Sequence, residues 1–232
     1  MITKTILAAL AAGTCLASQN ANADDLTGVW FVGGSIDQGQ SAYGGAIVAL
    51  PGARLGSGLA LRASAVAGNY EYVTGGQKIE GDYTGGEVAL VYQTSGHWGW
   101  ASFSAGPRVT DTRLKPVDPG NKRLGTRVDA AFQTDGALDG RQWRASWQAS
   151  YAVNDEAYQT QIRLAHKFGD GRYRLGVEGG VLGDPSFRKA NGGLHAALPL
   201  TGRAEIQLGG GLTFQEGRNA KPYGSVGISS VF

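Results

Sequence analysis

Trp143-Arg144-Ala145-Ser146-Trp147-Gln148-Ala149-Ser150-Tyr151-Ala152-Val153 alternates with period two from end to end. Trp143, Ala145, Trp147, Ala149, Tyr151 and Val153 share one face, and Arg144, Ser146, Gln148 and Ser150 share the other. Successive side chains of a β-strand point to opposite sides, so this segment is one apolar ribbon backed by one strongly polar ribbon. Its length, about 10 residues, is what a tilted strand needs to cross a bilayer. Strands of soluble proteins average about five or six.

The neighbouring segments repeat the pattern. Leu124, Thr126, Val128, Ala130 and Phe132 oppose Arg127, Asp129 and Gln133; Tyr158, Thr160, Ile162 and Leu164 oppose Gln159, Gln161, Arg163 and Lys167. Tyr173, Leu175, Val177 and Val181 oppose Arg172, Arg174 and Glu178, and Ala204, Ile206, Leu208, Leu212 and Phe214 oppose Arg203, Glu205, Gln207, Thr213 and Gln215. Between them lie Asp135-Gly136, Asn154-Asp155, Gly169-Asp170-Gly171, Gly183-Asp184-Pro185 and Thr201-Gly202. These residues supply the positive-φ positions of hairpins. The N-terminal half is less regular: Val29-Trp30-Phe31-Val32 is apolar on both faces, and Ala42 to Leu50 is nearly so. The pattern predicts an all-β fold, a single antiparallel transmembrane barrel of about 12 strands. Its lumen would be lined by Arg127, Asp129, Arg144, Gln148, Gln161, Arg163, Arg174, Glu178, Glu205 and Gln207.

Aromatic positions support a bilayer. With the N-terminus placed in the periplasm, Trp30, Tyr92, Trp98, Phe132, Trp143, Phe168, Tyr173 and Phe232 fall at periplasmic strand ends. Tyr43, Tyr70, Tyr72, Tyr83, Tyr151, Tyr158, Phe214 and Tyr223 fall at outer ends. Such rows are the girdles in which amphipathic rings sit at headgroup level. Trp143 and Tyr151 would be about 20 Å apart along the membrane normal, close to the ~25 Å apolar band.

The first residues read as an export signal. Lys4 precedes an apolar run from Ile6 to Ala17, then Ser18-Gln19-Asn20 and Ala21-Asn22-Ala23. A charge, a short apolar run and an A-x-A site make a secretory signal peptide over 1–23, leaving 24–232 as one outer-membrane barrel domain. Cys15, the only cysteine, falls inside the removed segment, so the mature chain has no thiol chemistry. The net charge of +2 gives no reason to invoke nucleic acid. Mean hydropathy is −0.18, and no apolar run reaches the roughly 18 residues a membrane helix needs.

The chain ends on Phe232, with Ile228 and Val226 behind it on the same face. A terminal aromatic after an alternating strand resembles the signal read by the barrel-assembly machinery. A wider resemblance is carried by Trp30-Phe31-Val32-Gly33-Gly34, Tyr43-Gly44-Gly45-Ala46-Ile47-Val48-Ala49-Leu50, and Leu59-Ala60-Leu61-Arg62-Ala63 with Tyr70-Glu71-Tyr72. Gly81-Asp82-Tyr83 and the loop Asp111-Thr112-Arg113-Leu114-Lys115-Pro116-Val117-Asp118-Pro119-Gly120-Asn121-Lys122 extend it. On these residues the chain resembles the BcsS family of cellulose-biosynthesis accessory proteins over nearly all of the mature sequence. Family members tend to carry a further acidic residue near Arg113, where this chain is basic. The resemblance implies a setting, cellulose export at the cell envelope, with cellulose or other export proteins as partners. It implies no catalytic motif.

The lumenal residues carry both signs of charge. They fit either a narrow polar channel admitting oligosaccharides or a plug in which opposite charges pair. A cellulose conduit would want aromatic rings facing inward, and the alternation leaves only Tyr223, with Trp98 and Trp100 as marginal cases, which favours a scaffold. Histidines are the usual acid–base groups. His97 falls in a turn, His166 on the apolar face and His195 toward the lumen, and no serine or carboxylate is expected beside any of them. The reading is therefore non-enzymatic, with no cofactor and no metal. The loop Leu114 to Lys122 is expected to be the longest outer connection. Glu71, Asp82, Asp155, Lys78 and Arg123 are expected near the outer rim, a mixture that fits divalent-bridged lipopolysaccharide and plain solvation equally; lipid and lipopolysaccharide are the expected surroundings of the barrel. The alternatives are a general small-solute porin or structural barrel and, third, a lipid-modifying barrel enzyme.

Overall fold

The computed structural model describes residues 26–185, 187–215 and 219–232. The segment read as a signal peptide, 1–23, lies outside them. The chain forms twelve strands: β1 (Gly28–Ile36), β2 (Gln40–Ala49), β3 (Gly58–Thr74), β4 (Gln77–Gly96), β5 (Gly99–Lys115), β6 (Gly125–Asp139), β7 (Trp143–Ala152), β8 (Ala157–Phe168), β9 (Tyr173–Asp184), β10 (Phe187–Pro199), β11 (Ala204–Gln215) and β12 (Lys221–Val231). Each pairs antiparallel with its sequence neighbours, and β1 pairs with β12 (Trp30 opposite Ser230, Val32 opposite Ile228), closing the barrel. Closure satisfies every strand edge, which an open sheet would leave unpaired.

The alternation decides inside from outside. Ile162, Leu164, Leu175, Val177, Leu194, Val128 and Val88 face out and are exposed; Ile162 has 63 % of its surface free. Arg62, Glu87, Arg108, Asp135, Arg144, Arg174 and Glu205 face in and are buried, Arg62 to 1 %. A protein folding in water does the reverse, because burying apolar side chains is what drives it.

Leu26, the first described residue, and Phe232 lie at one end of the barrel, here the terminal end. Phe232 is held there by main-chain bonds: Thr27 N–H donates to its carbonyl (2.8 Å), and its own N–H donates to Gly28 C=O (2.9 Å). At the opposite loop end the wall is uneven. β3 and β4 run 17 and 20 residues against 10 for β2. Register places the excess at the loop end: Gln40 of β2 pairs with Asn69, so Tyr70 to Thr74 overhang it. The β3–β4 hairpin closes on Gly75 and Gly76, both at positive φ (57° and 79°), the two-residue turn that matches strand twist.

Ten expected girdle residues face out and are exposed: Trp30, Tyr92, Trp98, Phe132, Trp143, Tyr151, Phe168, Tyr173, Phe214 and Phe232. Tyr158 is half-buried opposite Tyr151, and its hydroxyl accepts from Arg188 Nε at 3.1 Å. The others require correction. Tyr83 is 5 % exposed and packs inside with Tyr70 and Tyr72, and Tyr43 packs against the same cluster. Tyr223 also turns inward, donating to Glu178 at 2.8 Å. Strand phase is the reason: Tyr70 and Tyr72 share parity with the inward Arg62, and Tyr83 with the inward Glu87. Position near a strand end does not override parity. Phe132 pairs with Tyr151, which places it with the loop-end row rather than the terminal-end row.

Candidate functional site

The candidate site is the lumen, and its terminal mouth is apolar on the side of β1 to β4 and β12. Val29, Phe31, Ile47, Ala60, Val91 and Val231 form a buried cluster packed by Leu26, Leu55 and Tyr43. The β2–β3 connection folds into the barrel to bring Leu55 there: its N–H donates to Leu26 C=O at 3.0 Å, and Gly56 N–H donates to Gln93 Oε1 at 3.1 Å. Here the strands apolar on both faces find their use, since one face lines the outer wall and the other fills the terminal mouth.

At mid-height the charges pair. Arg62 on β3 reaches β6, where its Nη2 lies 2.7 Å from Asp135 Oδ1 and its Nη1 donates to Ser104 at 3.2 Å. Arg108 donates through Nε and Nη2 to one oxygen of Glu87, at 2.9 and 2.7 Å. On the opposite wall Glu178 is a hub. It accepts from Arg163 Nε (2.9 Å), Gln161 Nε2 (3.2 Å) and Tyr223 Oη (2.8 Å). Arg163 also donates to Gln207 Oε1 at 3.0 Å, Gln207 Nε2 donates to Glu205 at 3.0 Å, and Glu205 pairs with Arg174. Buried charges persist only when partnered, and these are partnered within the wall itself.

All ten residues assigned to the lumen lie on the inner face, in different roles. Arg163, Gln161, Glu178, Gln207, Glu205 and Arg174 form the network above. Arg144 reaches Asp139, which also takes Lys167 (3.2 and 2.6 Å). Gln148 is buried with neither side-chain amide atom bonded. Asp129 accepts from the N–H groups of Asn154 and Asp155 (2.8 and 3.0 Å), bracing the β7–β8 turn. Arg127 pairs with Asp155 and donates to Lys122 C=O (2.6 Å).

On the side of the overhang the loop end is covered by the connection between β5 and β6, residues 116–124, which folds inward rather than standing free. Tyr72 Oη donates to Asp118 Oδ2 at 2.8 Å, and Asn121 Nδ2 donates to Tyr72 at 2.9 Å. Arg123, expected among the rim charges, instead turns in to Asp184 on β9 at 2.6 Å. Lys78 and Glu71 stay at the exposed hairpin, 2.8 Å apart.

Inward tyrosines are the feature that sequence reasoning missed. Glycines make room for them: a Cβ on Gly33, Gly68 or Gly81 would sit 2.4–2.5 Å from the ring or hydroxyl of Tyr43, Tyr83 or Tyr70. Trp100 is buried inside, whereas Trp98 is exposed. The expectation of a lumen almost without aromatics is therefore corrected. So is the expectation that no carboxylate neighbours a histidine. His195 is 4 % exposed, with Nδ1 3.9 Å from Glu178 Oε2, too far for a hydrogen bond, while Arg163 and Gln161 already bond that oxygen. His166 sits on the outer wall between Trp143 and Phe168, ring centroids 4.9 and 4.5 Å away. Among the described residues no three His, Cys, Asp or Glu side chains are placed to hold a metal ion.

Between these features lies a cavity of about 110 Å³ on the side of β1, β2 and β8–β12. It extends from Asp37 at the loop-end rim down to Phe31 and Ser229. Below that level, on the side of β1 to β4 and β12, lies the apolar cluster.

A family profile described as "Cellulose biosynthesis protein BcsS" matches residues 29–232. No curated protein matches the sequence. Among solved structures, the transport unit of the autotransporter AIDA-I from Escherichia coli is 10 % identical, with 95 % of each chain covered and a TM-score of 0.54. The KdgM porin is 10 % identical over 88 % of this chain and 99 % of its own, with a TM-score of 0.52. The β domain of the Bordetella autotransporter BrkA is 14 % identical over 90 % of this chain and all of its own, with a TM-score of 0.51. At such identities these likenesses speak to the barrel fold alone.

Proposed function

The chain belongs to the BcsS family of cellulose biosynthesis proteins, and on that premise we propose that it serves cellulose export as a closed outer-membrane scaffold rather than as a conduit. The observation that carries this reading is the filled lumen. Leu26 and Leu55 seat on Val29, Ile47 and Val91 at the terminal mouth, and the Arg62–Asp135 pair reaches through the lumen from β3 past β4 and β5 to β6. A polymer needs a continuous bore, and on this reading the cavity of about 110 Å³ beside β8–β12 ends blind above the apolar cluster.

The outer wall supports residence in a bilayer: apolar side chains cover it, with Trp30, Tyr92, Trp98, Trp143 and Tyr173 toward one end and Tyr151 and Phe214 toward the other. The chain is exported with 1–23 as a cleaved signal. Phe232 presents the closing strand to the barrel-assembly machinery. Lipid contacts the wall, and lipopolysaccharide contacts the rim around Lys78, Glu71 and Glu80. The overhang of β3–β5 and the 116–124 connection are the surface offered to other cellulose-export proteins. The protein acts without catalysis and without a cofactor.

The test is planar-bilayer conductance of the purified barrel, with and without cello-oligosaccharides. No steady current is expected. A steady current blocked by the sugars would overturn the scaffold reading and make the protein a saccharide channel. Cellulose output on deletion separates the family role from a general porin: loss of cellulose with an intact permeability barrier is expected.

A further inference from the structure

We infer that the blind cavity on the β8–β12 side is a cup for the end of a neutral oligosaccharide, entered from the loop end. The choice of a β-glucan as probe rests on the family reading; the chemistry of the cup does not. Its size lies between two regimes. It is far larger than the ~10–15 Å³ that one water needs, and below the roughly 300–1,000 Å³ of sites for larger ligands. That is the scale of a single sugar ring.

Its lining combines the two surfaces a sugar presents. Phe31, Tyr43 and Tyr223 supply aromatic area for the C–H face of a pyranose. Gln161, Gln207 and Asn191 supply planar amides, each with donors and acceptors, for its hydroxyls. These groups are held in place beforehand. Tyr223 is fixed by its 2.8 Å bond to Glu178, and Arg163 donates to both Gln161 (3.3 Å) and Gln207 (3.0 Å). Side chains already ordered lose little further entropy on binding.

Charge decides which ligand class fits. The ionic groups around the cup are satisfied internally: Arg163 by Glu178 at 2.9 Å, and Lys189 by Asp37 at the rim. An anion would find no surplus cation, and a lipid chain would offer the amides and hydroxyls of the lining no hydrogen bond for their remaining donors and acceptors. A neutral polyhydroxyl compound meets neither penalty.

The test is calorimetric titration of cellobiose through cellopentaose into the barrel purified from membranes in detergent. Tyr43→Leu and Asn191→Ala are the cup variants, and Tyr72→Phe, at the overhang, is the control. Heat-modifiable migration on gels certifies that each is folded. Binding weakened about tenfold or more by both cup variants and unchanged in the control is expected, about 1.4 kcal/mol. Asp37→Asn, which strips Lys189 of its carboxylate, should add affinity for a glucuronate-terminated cello-oligosaccharide. Folded barrel that takes up no neutral sugar, or that binds it equally well in both cup variants, overturns the inference and leaves the cavity to water. The two readings fail separately: a conducting barrel that still binds sugar in the cup sinks the scaffold, and a silent barrel that binds none sinks only the cup.

Discussion

Replacing Arg62 with methionine removes the cation from a pair that holds β3 to β6 through the lumen. Arg62 and Asp135 are 1 % and 3 % exposed in their side chains and 2.7 Å apart. Without the guanidinium, the buried Asp135 carboxylate loses this cation in a place almost without water, and Ser104 loses a donor. Breaking a buried pair on one side costs about 3–5 kcal/mol, so Arg62→Met and Asp135→Leu should each destabilise by roughly that amount. The double variant should behave differently. Exchanging both partners for apolar groups of similar volume is near neutral. It also removes Arg62 Nε, a buried donor that makes no hydrogen bond. We expect the double variant to cost about 0–2 kcal/mol, a coupling of at least about 4 kcal/mol against the sum of the singles. Urea unfolding in lipid vesicles, followed by tryptophan fluorescence, measures all four corners of the cycle. If the double variant costs the sum of the singles to within about 0.5 kcal/mol, the two residues do not act as a pair and the argument for a filled lumen loses its central strut.

Two further outcomes follow from the wall. Ile162→Arg places a charge mid-strand on the exposed outer face; at a bilayer midplane it should cost about 2–4 kcal/mol by vesicle unfolding, whereas in water such a change stays within about 0.5 kcal/mol. A neutral result would argue that the apolar wall does not face lipid. Gly28→Val tests closure, because a Cβ there would lie 2.5 Å from the Phe232 ring and 2.8 Å from the Ile47 carbonyl oxygen. The ring can move and the backbone cannot, so overpacking of about 1–3 kcal/mol and slower appearance of the heat-modifiable band are expected; an unchanged urea midpoint would show that the β1–β12 seam has slack.

The lining was legible wherever a charge marked the phase. In β7 to β9, Arg144, Gln148, Arg163, Arg174 and Glu178 alternate with large apolar residues, and one glance at parity separates wall from lumen. In β1 and β2 both faces are apolar, so parity carried no sign. The same parity rule reaches the tyrosines of β3 and β4 once Arg62 and Glu87 are used to anchor it, and position along the strand misled there.

The sequence by itself determined much of the outward half of this protein: the period, most of the turns, the apolar wall and most of its aromatic belts. Each depends only on residues within one strand or one hairpin, where geometry is local. Asp135-Gly136, read as a turn, instead lies inside β6, and β3, β4 and β5 run 17, 20 and 17 residues where about 10 were expected. The tertiary structure alone decided what the lumen does. Arg62 meets Asp135 across 73 positions and Arg123 meets Asp184 across 61. Those meetings depend on how the sheet closes and on the stagger of strand against strand, quantities that belong to the whole circumference and to no single segment.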